Sequence, residues 1–164
     1  MKQYIFPPTI IIQHRKENKK KCSLQYLKEH GNIPFHIYPH TPLPNLNEHV
    51  LLTLDAPVLT LADRNKGICL LDATWRYAEK MHKSVITSYP NITCRSLPSN
   101  CTTAYPRRQT SCIAPEMGLA SIEALFLAYL ILQRDSLFLL EGYIWKESFL
   151  SLNRNFIESY LFSL

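Results

Sequence analysis

The sequence predicts a single α/β domain built on a largely parallel sheet, and three observations lead there. Short β-branched or apolar runs alternate along the chain with stretches of helical composition, the order expected of strand-helix-strand units. The 164 residues are 46% hydrophobic and 19% charged, enough for one sizeable core and too short for two ordinary domains. No internal repeat or low-complexity tract interrupts them, so no repeat array is expected.

Residues 9–13 are a β-branched run that ends in the charged stretch 14–21, a buried strand feeding a polar loop. Ser23 then stands as a helix N-cap, with Leu24 and Leu27 on one face and Gly31 just past the end. Residues 35–38 and 49–54 read as further strands, separated by a connection in which Pro39, Pro42 and Pro44 exclude regular structure. Residues 68–71 form a continuous apolar strand entered from Gly67, which delivers Asp72-Ala73-Thr74-Trp75 into a helix over 76–83. One more strand is expected at 91–97. The polar segment after it, 98–115, lacks periodicity and has the length usually reserved for functional loops. Leu119, Ile122, Leu125, Phe126, Tyr129 and Leu130 recur at spacings of three and four, and Trp145, Phe149, Leu152, Phe156 and Tyr160 repeat the pattern. Two amphipathic helices are therefore expected to close the chain.

Composition excludes several function classes. The four glycines, Gly31, Gly67, Gly118 and Gly142, leave no place for a G-x-G-x-x-G turn or a P-loop. Cys22, Cys69, Cys94, Cys101 and Cys112 are odd in number, never form C-x-x-C and follow nothing that reads as a secretory leader, so reduced thiols in a cytoplasmic protein are expected. The longest apolar run, 124–132, falls short of the roughly 18 residues of a bilayer span, and no membrane partner is expected. His36 and His40 are separated by the break at Pro39 with no cysteine pair nearby, so no metal is expected. There is no G-x-S-x-G elbow and no thiol with a partnered base, which argues against covalent hydrolase chemistry. Residues 1–108 carry 15 basic and 7 acidic side chains, a net +8, while the remainder carries 3 and 6, a net −3. A basic face of this kind suits a polyanion, although solubility alone also accounts for a modest positive balance.

In an open α/β sheet, ligands collect at the carboxyl ends of the strands, which puts Asp72, directly after an apolar strand and before a helix, where it would meet one. Trp75, one turn on, offers a flat apolar face to an adenine or another base. The plain alternatives are a helix cap for Asp72 and a core filler for Trp75. Lys19, Lys20 and Lys21, with Arg15 and Lys16 upstream, form a cationic cluster beside a helix start and suit an RNA backbone, or simply a solvated loop. Arg76 and Lys80 on the helix and Arg107 and Arg108 in the long loop extend the same basic track if the fold brings them together.

Asp72-Ala73-Thr74-Trp75, followed by Ala78, Lys80 and Met81, resembles the D-x-S/T-W signature of the DTW-domain superfamily. The chain is similar above all to the branch that installs the 3-amino-3-carboxypropyl group on small-subunit ribosomal RNA. Lys20-Lys21-Cys22-Ser23 matches that branch's K-K-C-S/T turn, and residues 58–64 parallel its L-S-P-x-D-R stretch. Leu97-Pro98 matches its L-P, Leu119 with Glu123-Ala124 its L-x-x-x-E-A helix start, and residues 149–154 its F-L-x-L-N-R. The motifs keep their order almost end to end. Residues 100–105 stand for the branch's A-N-P-x-N-Y segment without its proline, and the continuation into Arg107-Arg108 is nearer to tRNA-modifying DTW proteins.

The resemblance implies a SPOUT-like single domain, its sheet mostly parallel, with a C-terminal trefoil knot. Residues 1–66 would be an N-terminal part suited to RNA, and 67–164 the knotted, cofactor-binding part. It implies S-adenosylmethionine as donor substrate, held among loops rather than on a glycine turn, with no metal. Ser23 would approach the ribose, while Leu52 and Trp75 would sandwich the adenine or the methionine portion. Leu97, Tyr105 and Leu119 would line the purine pocket, and Ala78 would bury the methyl group. Asp72 would be catalytic, either holding the amino group of the transferred chain or taking the N3 proton of a uridine or pseudouridine. Lys19, Lys20, Lys21, Arg76, Lys80, Arg107 and Arg108 would contact RNA: small-subunit ribosomal RNA or a pre-ribosome first, tRNA second, with the protein a monomer. A SPOUT-like methyltransferase and a non-catalytic RNA-binding module in ribosome assembly are the other readings.

Overall fold

The structure, a computed structural model, describes residues 5–106 and 118–162. Five strands, β1 (Ile10–His14), β2 (Phe35–Tyr38), β3 (His49–Leu52), β4 (Gly67–Asp72) and β5 (Thr93–Arg95), form one sheet in the order β2-β1-β4-β3-β5. Every pairing is parallel. A parallel sheet is buried on both sides, so its strands read as unbroken apolar runs. Ile11, Val50, Ile68 and Leu70 face one layer, and Ile10, Ile12, Leu51 and Cys69 the other. The first layer holds α1 (Gln25–His30), α3 (Ser121–Ile131), α4 (Lys146–Leu152) and α5 (Arg154–Leu161), and the second holds α2 (Trp75–Ser88) through Met81 and Val85. No helix among the described residues is long and apolar enough to cross a membrane.

Four expectations are corrected. A SPOUT-like arrangement with a C-terminal trefoil knot is not what the architecture shows. The sheet is entirely parallel, its last strand ends at Arg95, and the described residues beyond it are helices and loops. Ser23 does not cap α1, which begins after Leu24 without a side-chain cap; its hydroxyl accepts from the backbone N–H of Ile122 at 3.2 Å instead. The first closing helix, α3, is not amphipathic. Ile122, Glu123 and every residue from 125 to 131 are buried, because α3 runs through the larger core rather than along its surface. The second is broken in two at Asn153, whose side chain is turned to the loop at Thr102, donating to its carbonyl at 2.9 Å and accepting from its N–H at 2.7 Å.

His14 ends β1 buried and stacked flat on Tyr77 of α2, with ring centroids 4.1 Å apart and planes 7° from parallel. Its Nδ1 accepts from the backbone N–H of Lys16 at 3.1 Å, which leaves Nε2 to carry the single proton of the neutral ring. Burial first, then the charges of Arg15, Lys16 and Lys80, hold its pKa below the ordinary 6.5. The unfolded chain therefore takes up a proton near pH 6.5 that the folded chain refuses. This contribution to stability is complete above that pH and is lost as the pH falls through the lowered folded value. Denaturant unfolding between about pH 7 and pH 5 is expected to show stability falling with acid. In His14→Phe, which keeps the ring stack, that fall should be shallower, and an equal fall in both proteins would contradict the assignment.

A candidate active site at the carboxyl edge of the sheet

The parallel sheet points the carboxyl ends of β1, β3, β4 and β5 to one edge, and the loops leaving those ends enclose a cavity of about 500 Å³. One wall is the end of β4 with a single stripe of α2: Trp75, Ala78, Glu79 and His82, at the helical spacing that keeps side chains on one face. The facing wall is Leu52, the last residue of β3, with Thr53 and Leu54 after it and residues 96–99 beyond β5. These two loops are pinned together. Thr53 N–H donates to Arg95 O at 2.8 Å, Leu59 N–H to Ser96 O at 2.8 Å, and Ser96 Oγ to Ala56 O at 2.7 Å. The third wall joins Glu17, Lys21 and Ser23 to Cys101, Tyr105 and the start of α3. There the Tyr105 hydroxyl donates to Lys21 O at 2.5 Å.

Asp72, the last residue of β4, is 4% exposed, and it does not cap α2, which begins after Thr74. Its Oδ1 accepts from Ser121 Oγ at 2.6 Å, and its Oδ2 from Gln13 Nε2 at 2.8 Å and from the Cys22 thiol at 3.4 Å. Gln13 lies directly opposite Asp72 in the β1–β4 register, and its own carbonyl accepts from Lys28 Nζ at 2.7 Å. Burial and the charge of Asp72 push the Cys22 thiol up to about 12, so at neutral pH it stays a donor. Glu17, Cys22 and Asp72 bring one ligand-type atom each within 4.8 Å of one another. Within this cluster the Cys22 thiol and Asp72 are joined directly, the thiol donating to Oδ2.

A second buried carboxylate shapes the third wall. Glu123 is fully buried. It accepts from Thr103 Oγ1 at 2.7 Å, from the N–H groups of Ala104 and Ala120 at 2.9 Å each, and from the Tyr143 hydroxyl at 2.9 Å. Burial, then the nearby Glu123 charge, raises the pKa of Tyr143 and keeps it a donor. One side chain thus ties the loop before Tyr105 to the first turn of α3, which carries Ser121.

The residues singled out in the sequence divide clearly. Ser23, Leu52, Asp72, Trp75, Ala78, Leu97, Tyr105 and Leu119 all line the cavity. Lys19 and Lys20 lie exposed on a 3-10 turn capped by the Asn18 side chain, while Lys21 reaches the cavity wall. Arg76 and Lys80 are exposed on α2 and off the cavity lining. Arg107, Arg108 and Cys112 fall outside the described residues. Sequence reasoning passed over Gln13, Ser121, Glu79 and His82, and read Glu123 only as part of a motif. Two of these carry a signal in the sequence: Gln13 is a lone amide in an apolar strand, and Glu123 a lone acid in an apolar helix.

The chain matches no family model, and it matches no curated protein. Among solved structures it resembles that of the SAM-dependent rRNA:acp-transferase Tsr3 from Vulcanisaeta distributa, with a TM-score of 0.68 and 22% identity. The alignment covers 93% of this chain and 82% of that one. At this identity the likeness establishes a shared fold.

Glu123→Gln puts an amide NH₂ against groups that already donate. It is expected to destabilise the protein by about 2–4 kcal/mol in denaturant unfolding. A loss below about 0.5 kcal/mol would show that the four donors do not depend on this carboxylate.

Proposed function

We propose that the chain is an enzyme that binds S-adenosylmethionine in this cavity and transfers its 3-amino-3-carboxypropyl group to N3 of a uridine or pseudouridine in small-subunit ribosomal RNA. The observation that carries this reading is convergence. Eight residues matched to the donor site by sequence resemblance, spread from Ser23 to Leu119, line a single cavity of a size suited to one small molecule. The shared fold with a transferase described as SAM-dependent and rRNA-directed supports it. So does the scarcity of glycine, which leaves a loop-lined site rather than a glycine-cradled one.

The residues present fit the donor. A carboxylate offers about four lone-pair sites, and three of those on Asp72 already serve Ser121, Gln13 and Cys22. The remaining capacity, at the cavity wall, suits the α-ammonium of the amino-acid arm. Taking a proton there would weaken an acceptor that serves three groups, so Asp72 acts as anchor rather than base. As N3 bonds to the arm's sulfur-bound carbon, the carbon–sulfur bond breaks, methylthioadenosine leaves, and the N3 proton passes to solvent at the cavity mouth. Lys21 offers a positive charge to the arm's carboxylate, and Leu52, Trp75, Leu97 and Leu119 supply apolar surface for the adenine. The sulfonium makes every attached carbon electrophilic, so the product depends on which carbon the walls leave open to the nucleobase. Holding the arm at Asp72 and burying the methyl against Ala78 selects the aminocarboxypropyl group.

Incubation with S-adenosylmethionine and small-subunit ribosomal RNA is expected to yield methylthioadenosine and an aminocarboxypropylated uridine or pseudouridine by nucleoside mass spectrometry. Adenosylhomocysteine as co-product would make the protein a methyltransferase. Modification confined to a tRNA control would move the substrate, and no donor consumption with either RNA would overturn the enzymatic reading. Asp72→Asn should lower turnover by about a hundredfold and weaken donor binding as well. Donor affinity equal to wild type would favour a base over an anchor.

A further inference from the structure

Beside the cavity, two segments distant in sequence meet around one aromatic ring. Tyr77 of α2 is stacked on His14 at the end of β1. The Lys16 ammonium stands 5.6 Å from the centre of the Tyr77 ring and the Arg76 guanidinium 5.8 Å. Arg15 and Lys80 complete the group, both near enough to His14, with Lys16, to oppose its protonation. Arg15, Lys16, Arg76 and Lys80 are all exposed, and none forms an ion pair with a described residue.

Such crowding is unfavourable in the free protein. Arg76 and Lys80 are like charges four apart on a helix, a spacing that is unfavourable in itself. The turn after β1 adds two more cations to the same spot. The acids on these two segments, Glu17 and Glu79, line the cavity. An arrangement of this kind is relieved by a polyanion, whose phosphates gain from every cation that faces them. The stacked rings hold the two cationic segments at a fixed separation, so the charges are preorganised rather than gathered on binding.

The group also borders the cavity. The turn that carries Arg15 and Lys16 continues through Glu17 to Lys21 in the cavity wall, and α2 turns Trp75 and Ala78 inward while Arg76 and Lys80 stay off the lining. Resting on the reading that RNA is the acceptor, we infer that Arg15, Lys16, Arg76 and Lys80, mounted on the His14–Tyr77 stack, form the docking face for the RNA phosphodiester backbone beside the cavity mouth.

The test is fluorescence anisotropy with a labelled single-stranded RNA of about 20 nucleotides, titrated between about 50 and 200 mM salt. Each phosphate contact contributes about 0.7 to the log–log salt slope on a single strand. Replacing all four cations by Ala should therefore flatten the slope by about 3 and weaken low-salt binding more than about tenfold. The charge-keeping variant Arg15→Lys/Arg76→Lys should retain the wild-type slope, and Lys19→Ala/Lys20→Ala should change it less than the fourfold variant. If thermal unfolding shows the fourfold variant misfolded, Lys16→Gln/Lys80→Gln reads the same effect at about half the size. Wild-type RNA binding with an unchanged slope in these variants would overturn the docking face alone. A wild-type protein without affinity for RNA would overturn the acceptor reading and this face together. Equal displacement of the RNA by poly-glutamate at matched charge would make the face a generic anion surface and also overturn the inference.

Discussion

Burying a carboxylate away from a cation costs several kcal/mol unless hydrogen-bond donors take the place of the lost water, and this domain buries two. Neither Asp72 nor Glu123 forms an ion pair with a described residue, so each imposes a geometry on the neutral donors around it. Glu123 gathers the loop at 103–104, the start of α3 and Tyr143 into one rigid corner. That corner presents Ser121 to Asp72, which is also held from β1 by Gln13 and from the following turn by Cys22. Loops that would otherwise be free at the sheet edge are thereby fixed in relation to β4. A ligand group meeting Asp72 finds an acceptor whose orientation has already been set, which is what positioning catalysis requires.

The strands and the place of the cavity were readable because a parallel sheet leaves a strong trace. Unbroken apolar runs such as 10–12 and 68–71 have no other stable home in a chain this short. The position of Asp72 after such a run was enough to place it at the ligand edge. What stayed hidden was set by tertiary partners. Ser23 has the chemistry of an N-cap, but its hydroxyl is drawn off by the N–H of Ile122, a group 99 residues away. The apparent stripe on α3 marked only part of a surface that is buried nearly all round, since spacing cannot reveal how many neighbours a helix will have. Asn153 breaks the last helix by hydrogen bonds to a loop distant in sequence. A knotted path, expected only from resemblance, has no local signature in periodicity, and among the described residues the architecture is an open five-stranded parallel sheet with no such path shown.

The basic balance of the first two thirds also acquires a location. The run of three lysines forms one exposed 3-10 turn, of which Lys21 also reaches the cavity lining. A second cationic group stands around Tyr77, assembled from residues 15–16 and from α2 by the packing of β1 against α2. Cavity and cationic face lie at one edge because both are made by what leaves the carboxyl ends of β1 and β4. Donor and acceptor chemistry would then meet across the first turn of a single helix.

A crystal structure of the chain with S-adenosylmethionine tests the role of Asp72 most directly. The expected result has the ammonium of the amino-acid arm within hydrogen-bond reach of Asp72, the methyl group buried, and the carbon that joins the arm to sulfur facing the cavity mouth. An arm sealed inside with the methyl group turned outward, or a donor bound away from Asp72, would contradict it.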